Sequence, residues 1–392
     1  MDKTTLQSTL ESYFTWFHRH PELGFEEHKT TARIRELLVQ AGVEILDAPL
    51  ETGLIARIQG RPGGPVTALR ADIDALPVTE AAGLDYASEH PGCMHACGHD
   101  FHLTALLGAA ILLREEAETL AGTVKLLFQP AEEGAGGARV VLDTGYLDDV
   151  DEIYGLHVMA ALAPGIIALS PGATYATVGS FRILVKGRGG HAAEPHRCKD
   201  PIVAAAQIIT KAQTIISRGV SPFDPAVLSV TRVLAGTTWN VIPSDTLLEG
   251  TIRAFSVEKL TGIAENLGKI CRGAEESDGV EIEYTWRINT YSTNNDPALT
   301  EWAAETAKTL GLSVVPYPPT MGGEDFALYQ QRIPGVFLNI GVGSPQELHN
   351  PGFIANPAPL SAAAELLAAL GKGAAARLAR NSRPPWRNFH AG

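Results

Sequence analysis

The segment GTVKLLFQPAEEGAGGARVVLDTGYLDDVDEIYGLHV, Gly122 to Val158, decides the fold class. Its two ends, Gly122–Phe128 and Ile153–Val158, are short apolar runs of the kind that form buried strands. A helical stretch around Ala138–Thr144 lies between them. Strand, helix and strand in that order favour a largely parallel α/β sheet.

The same alternation continues upstream. Glu26–Gly42 has a helical pattern in which Ile34, Leu37 and Leu38 share a face and Gly42 ends the helix. Strands Gly53–Gly60 and Val66–Leu69 follow, separated by the turn Arg61–Pro65, and then helix His102–Leu120. After Pro164 the texture changes to strand Ser180–Val185, helix Ile202–Ser217, strands Ala226–Val233 and Thr246–Ala254, helix Val257–Glu276 and strand Val280–Tyr284. Two long helices on one antiparallel sheet make a second domain. From Asp296 the first pattern resumes with helix Pro297–Leu310, strand Gly335–Ile340 and helix Leu360–Leu378, so an α+β domain is inserted into a discontinuous one. The tail after Ala379, with Arg380, Arg383, Pro384, Pro385 and Arg387, reads as a solvated extension.

Length and composition agree with two ordinary globular domains: 392 residues, 45% of them hydrophobic and 19% charged. A formal net charge of -13 argues against a nucleic-acid partner, which needs concentrated positive charge. The N-terminal MDKTTLQSTLESYF reads neither as a secretion signal nor as a membrane span, which points to the cytoplasm and to no membrane partner. Four cysteines in so long a chain do not suggest a disulfide framework.

Chemistry concentrates in MHACGHD, Met94 to Asp100, where two histidines, a cysteine and an aspartate share one short loop. Thiolate and imidazole suit zinc or related transition metals. FQPAEEG, Phe128 to Gly134, sets Glu132 and Glu133 beyond a strand end. One such carboxylate can ligate a metal while its neighbour takes a proton from water, although paired glutamates are also common on solvated surfaces. His157 ends the run IYGLHV and His349 follows VFLNIGVG. Either alone reads as structural, but Asp72, Glu133, His157 and His349 all lie at or after a strand's carboxyl end, the edge where open α/β sheets bind ligands. Cys97, His99, Glu133, His157 and His349 suffice for two metals sharing a bridging water. No GxSxG elbow or phosphate-binding GxxxxGKS loop competes. In the inserted domain, GRGGHAAEPH offers His191 as a donor to a developing oxyanion, and Asn240 and Arg253 offer an amide and a carboxylate-binding fork.

Taken in order, HRHPELGFEE, LRADIDALPVTE, MHACGHD, FQPAEEG, LHV, GRGGHAAEPH, NVIP, GTIR, MGGEDF and LHNPGF closely resemble the aminoacylase and carboxypeptidase superfamily of co-catalytic metallohydrolases. The branch that includes hippurate hydrolase and indoleacetyl-amino-acid hydrolase is the most similar. The likeness runs from His18 to Phe353; YSTNNDP around Asn294 and Cys198 depart from that branch's pattern. It implies a di-metal exopeptidase-like fold: a mixed, mostly parallel sheet flanked by helices over residues 1–177 and 291–392, with a lid domain over 178–290. It implies two divalent metals, zinc or manganese before cobalt or nickel, on Cys97, His99, Glu133, His157 and His349. Glu132 would be the general base, His191 the oxyanion donor assisted by Asn240, Arg253 the grip on the substrate carboxylate, and Asp72 a carboxylate orienting the ligands. The implied reaction is hydrolysis of N-acyl-L-amino acids. A dipeptidase or carboxypeptidase on the same site, and a metal-dependent binding protein without turnover, remain the alternatives. A homodimer through the lid is expected, with Ala226–Val233 as its candidate edge strand.

Overall fold

Residues 123–129, TVKLLFQ, are buried at every position, as a strand covered on both faces requires. In the computed structural model, which describes residues 2–134 and 136–380, this strand lies inside an eight-stranded sheet. The order is Glu44–Ile45, Leu54–Gln59, Thr123–Gln129, Val66–Asp72, Glu152–Met159, Gly335–Gly341, Ile167–Ala168 and Val314–Val315. The four strands from Thr123–Gln129 to Gly335–Gly341 run parallel to one another. Leu54–Gln59 joins this group antiparallel, and so does Ile167–Ala168 at the other side. The sheet is therefore mixed and mostly parallel, and it belongs to a first unit made of the chain up to Gly172, Asn294–Pro318 and the part from Leu328 onward.

Helix His99–Glu115 packs into the core of this unit together with helices Lys3–Arg19 and Leu360–Arg380. It is buried almost all round, because its sequence is nearly all apolar or small. Gly108 permits the closest approach: a Cβ there would stand 2.6 Å from the Ala364 Cβ and 2.9 Å from the Leu10 Cδ1. The helix starts three residues before the expected His102. Gly98 precedes it with φ +80, and any side chain at Gly98 would strike the Val158 Cγ2 at 2.5 Å, so the turn belongs to glycine. Helix Lys3–Arg19 is left unassigned by the sequence reading, although Leu6, Leu10, Phe14 and Phe17 recur at helical spacing and are its buried stripe. The expected C-terminal extension lies, beyond Arg380, outside the described residues.

The second unit comprises Ala173–Thr293 and Pro319–Ala327. Its four strands, in the order Ala226–Ala235, Asp245–Ala254, Thr177–Lys186 and Glu281–Thr290, pair antiparallel throughout. Alternate residues of Thr177–Lys186 are buried, which turns one face toward helices Pro201–Gly219 and Val257–Asp278. Asp200 caps the first of these helices by accepting from the Ile202 N–H at 2.9 Å, and Ser256 caps the second. The short segment 319–327 joins this unit through its backbone: the Thr320 N–H donates to the Thr174 carbonyl and the Gly322 carbonyl accepts from the Ala176 N–H, both at 2.9 Å. Among the described residues no helix is long and apolar enough to cross a membrane.

A buried ionic cluster ties three parts of the first unit together. His18, near the end of helix Lys3–Arg19, donates from Nδ1 to the Asp100 Oδ2 at 2.7 Å and from Nε2 to the Glu80 Oε1 at 3.3 Å. Burial pulls its pKa down, but the bonds to Asp100 and Glu80 outweigh burial and raise it to about 9. A folded-state pKa above the unfolded one of 6.5 means the stabilisation is complete below pH 6.5 and is lost progressively as pH rises to about 9. The full stabilisation is on the order of 3 kcal/mol. Unfolding free energies followed from pH 6 to 9.5 should therefore fall more steeply for the wild type than for His18→Gln; parallel curves would remove this role.

Candidate metal centre

Because the four central strands are parallel, their carboxyl ends meet at one edge of the sheet. Asp72 is the last residue of Val66–Asp72, and His157 is the third from the end of Glu152–Met159. Glu132 and Glu133 follow Thr123–Gln129, and His349 follows Gly335–Gly341. Cys97 and His99 flank Gly98 at the start of the buried helix. The His349 loop is fastened to the MHACGHD loop by its N–H, which donates to the Ala96 carbonyl at 2.8 Å, and His349 itself takes φ +65.

These residues form two overlapping sets of donors. The ligand atoms of Cys97, His99 and His157 lie within 4.8 Å of one another, and so do those of Cys97, Glu133 and His349. Ligand bonds of roughly 2.0–2.3 Å place the ligands of one ion up to about 4.6 Å apart, so each set is close to the size that surrounds a single cation. Cys97 is common to both.

Each buried imidazole keeps one nitrogen for this cluster. His157 donates from Nδ1 to the Val158 carbonyl at 2.7 Å, leaving Nε2 at 3.5 Å from the Cys97 Sγ. Burial lowers the His157 pKa to about 3, so the ring is neutral. His99 donates from Nδ1 to the Asp74 carbonyl at 2.9 Å, with the Asp74 Oδ1 at 3.1 Å. Its Nε2 is buried without a hydrogen-bond partner, 3.8 Å from the Asp72 Oδ2 and 4.0 Å from the Glu133 Oε1. An orphaned buried nitrogen facing a thiol and two carboxylates is what a cation would satisfy. Burial lowers the His99 pKa, but Asp72 and the bond to Asp74 outweigh it and hold the pKa well above the ordinary value. Burial drives the Cys97 thiol well up, against the pull of the neighbouring His99. A metal entering here displaces protons. Glu133, at 3.3 Å from the His349 Nε2, titrates below the usual range because His349 and His99 outweigh the effect of burial. Glu132 shares a third group with His99 and Glu133.

Two residues that the sequence reading did not single out hold these donors in place. Asp74 bonds His99 through Oδ1 and accepts the Glu133 N–H through Oδ2 at 3.0 Å, so one carboxylate orients a histidine and a glutamate. His102 donates from Nδ1 to the Asp72 Oδ1 at 2.6 Å and accepts the Val158 N–H at Nε2 at 2.8 Å. Asp72 is thereby linked to the strand bearing His157. Its other oxygen accepts from the Arg70 Nη1 at 2.6 Å, and Arg70 Nε donates to the Gln129 Oε1 at 2.8 Å. Both nitrogens of His102 are spent in this way, and Asp72 is held well below the usual carboxylate range by His99, Arg70 and His102 against full burial. Both residues were legible in principle: Asp74 repeats the position of Asp72 along DID, and His102 stands one helical turn from His99.

The remaining candidates lie in the second unit. His191 and Asn240 meet on a two-stranded ribbon, Gly190–His191 against Val241–Ile242, where the Ala192 N–H donates to the Asn240 carbonyl at 3.1 Å. The His191 Nδ1 accepts the Ala193 N–H at 3.0 Å, so the ring's proton sits on Nε2 and the exposed side chain presents a donor. Arg253 lies on strand Asp245–Ala254 opposite Val178 and Val227. It is half-buried, and burial alone lowers its pKa. Gly323 leaves room beside it: an added Cβ would meet the Val178 Cγ2 at 2.6 Å and the guanidinium Nη1 at 3.4 Å.

The model of peptidase family M20/M25/M40 matches residues 68–372, which include every candidate above. The chain belongs to that family. It is a hydrolytic enzyme, and its relatives carry deacetylase, amidohydrolase and peptidase names. An N-acetylcysteine deacetylase of Bacillus subtilis (strain 168) is 45% identical over 354 residues, spanning 90% of this chain and 93% of the relative. The IAA-amino acid hydrolase ILR1-like 4 of Arabidopsis thaliana is 38% identical over 343 residues, 84% of this chain and 78% of its own. Among solved structures, the Bacillus subtilis YXEP protein, a dinuclear metal binding peptidase from the M20 family, matches with TM-score 0.87 and 41% identity over 95% of this chain and 99% of that one.

The buried Arg70–Asp72 pair predicts a stability effect separate from turnover. Both side chains are inaccessible, so Arg70→Met leaves Asp72 charged without its cation. A loss of about 3–5 kcal/mol in urea unfolding is expected; a loss below about 1 kcal/mol would mean that the pair does not hold Asp72 in place.

Proposed function

We propose that this M20 enzyme hydrolyses the amide bond of N-acyl-L-amino acids, of the N-acetyl, N-benzoyl or arylacetyl type, to a carboxylic acid and a free amino acid. The observation that carries the reading is the pair of donor sets sharing Cys97. Relatives named for removing acyl groups from N-acetylcysteine and for hydrolysing an indoleacetyl amino acid support it. Cys97, His99, Glu133, His157 and His349 are the residues that would hold two divalent metals, zinc or manganese first among them. Bound there, such ions supply Lewis acidity to a carbonyl oxygen and acidity to a water.

Within this reading Glu132 is the general base, taking a proton from the attacking water and passing it to the departing amine. Its place beside His99 and Glu133 suits a carboxylate within reach of a water held by the ions. His191, with its proton on Nε2, donates to the oxygen that becomes negative at the tetrahedral carbon, and Asn240 assists. Arg253, half-buried, meets the substrate carboxylate with a planar fork. A free, buried thiol at Cys97 is at home in the reducing cytoplasm. The edge strand Ala226–Ala235, with Val233 and Leu234 exposed, suits a homodimer through the second unit.

The test is amine release from protein reconstituted with Zn²⁺ or Mn²⁺ and offered N-acetyl, N-benzoyl and indoleacetyl amino acids beside unblocked dipeptides. Hydrolysis of the acylated substrates that stops on chelation and returns with metal is expected, with Glu132→Gln keeping its metal and losing at least about 100-fold in kcat. Preference for a free amino group would make the enzyme a dipeptidase, and full activity of the Glu132→Gln variant would remove the assigned base.

A further inference from the structure

The HRHPELGFEE motif ends in Glu27, which the proposed chemistry does not use. It precedes helix His28–Gln40 at the N-cap position, but its side chain makes no cap hydrogen bond, and it is fully buried. Its carboxylate is committed elsewhere. Oε1 accepts the Ala131 N–H at 2.8 Å, and Oε2 accepts the Thr52 hydroxyl at 2.7 Å. Burying a carboxyl group is costly unless something specific is held by it, and burial raises the pKa of this one.

What it holds is a strained turn. Ala131 takes φ +51, a left-handed conformation that costs a residue with a Cβ about 1–2 kcal/mol. Close packing surrounds the turn. A Cβ on Gly53 would reach the Pro130 Cδ at 2.6 Å, one on Gly24 the Ala131 Cα at 3.1 Å, and one on Gly137 the Pro130 carbonyl oxygen at 1.7 Å. The Gly137 N–H donates to the Ala131 carbonyl at 3.0 Å, so both backbone polar groups of Ala131 are spent. Glu132 and Glu133 follow at once, and Asp74 takes the Glu133 N–H at 3.0 Å. Two buried carboxylates, from Glu27 and Asp74, thus pin the two ends of the segment that presents both glutamates.

We propose that Glu27 is a positioning residue: by accepting the Ala131 N–H it fixes the left-handed turn that places Glu132 and Glu133. The proposal rests on the roles given to those two glutamates above. Removal of the acceptor leaves the Ala131 N–H buried and unpaired, and the turn relaxes toward φ below zero, displacing both carboxylates. A shift of that kind at a reacting group can cost on the order of 100-fold in rate, and loss of such a support typically weakens a metal 10- to 100-fold.

Three readouts on Glu27→Ala and Glu27→Gln test this: hydrogen–deuterium exchange of the peptide spanning Leu126–Gly134, Co²⁺ titration followed by visible absorption, and kcat against KM for the metal-loaded protein. Glu27→Ala should exchange at least about 10-fold faster in that peptide alone, bind Co²⁺ about 10-fold more weakly, and lose about 100-fold in kcat with KM nearly unchanged. Glu27→Gln, whose amide oxygen still accepts from Ala131, should recover most of each. If Glu27→Ala does not fold, Glu27→Asp, one methylene too short to reach both Thr52 and Ala131, takes its place with the same expectations. Lowered thermal stability with unchanged exchange, Co²⁺ affinity and kcat per folded molecule would overturn the proposal. A wild type that binds Co²⁺ but cleaves no N-acyl amino acid would instead overturn the substrate reading, while the exchange and Co²⁺ results would still decide the role of Glu27.

Discussion

The two buried candidate ligands His99 and His157 each have one nitrogen tied to a backbone carbonyl, and the organisation of the site depends on that constraint. A carbonyl oxygen can only accept, so the bond from His157 to Val158 and the bond from His99 to Asp74 each fix a tautomer. The other nitrogen of each ring is left facing Cys97 and the glutamates. No choice of side chain at the strand ends would suffice without these bonds, because a ring free to rotate or to carry its proton on the wrong nitrogen cannot complete a donor set.

The supporting residues carry costs that the rest of the fold must offset. Arg70, Asp72 and His102 form a buried polar chain in which every member has a partner, and a half-satisfied version would be worse than an apolar core. Ala131 and His349 both sit at positive φ. His349 is itself a candidate ligand and Ala131 precedes Glu132, and such sites are where strained backbone is commonly found. The helix between the sheet and its neighbours supplies the compensating apolar burial; Gly108 lets it pack closely on the flanking helices, and Gly98 lets its start approach Val158, which places Cys97 and His99 at the sheet edge.

Much of this could be read from the chain. The strand and helix alternation from Gly122 to Val158 leads to the parallel core, and the change of texture after Pro164 marks the second unit. Glu133, His157 and His349 stand out because parallel strands bring their carboxyl ends to one edge, and Cys97 and His99 because they share one short histidine-rich loop. Other features were hidden for physical reasons. Glu44–Ile45, Ile167–Ala168 and Val314–Val315 are strands of two residues, too short for any periodicity. The attachment of 319–327 to the second unit depends on backbone bonds with no side-chain signature. Glu27 looks like a surface helix cap, and only its three-dimensional partners reveal it as a buried acceptor. Asp74 and His102 carried spacing signals that were available, one along the strand end and one along the helix, but adjacent residues with stronger metal-binding character masked them.

The central claim is that one thiolate, Cys97, is shared by two metal positions. Anomalous diffraction from crystals of the Zn²⁺- or Mn²⁺-reconstituted protein tests it most directly. The account predicts two peaks per chain roughly 3.5–4 Å apart, both within bonding distance of the Cys97 Sγ, one also touching His99 and His157 and the other Glu133 and His349. A single peak, or peaks that leave Cys97 uncoordinated, would contradict it.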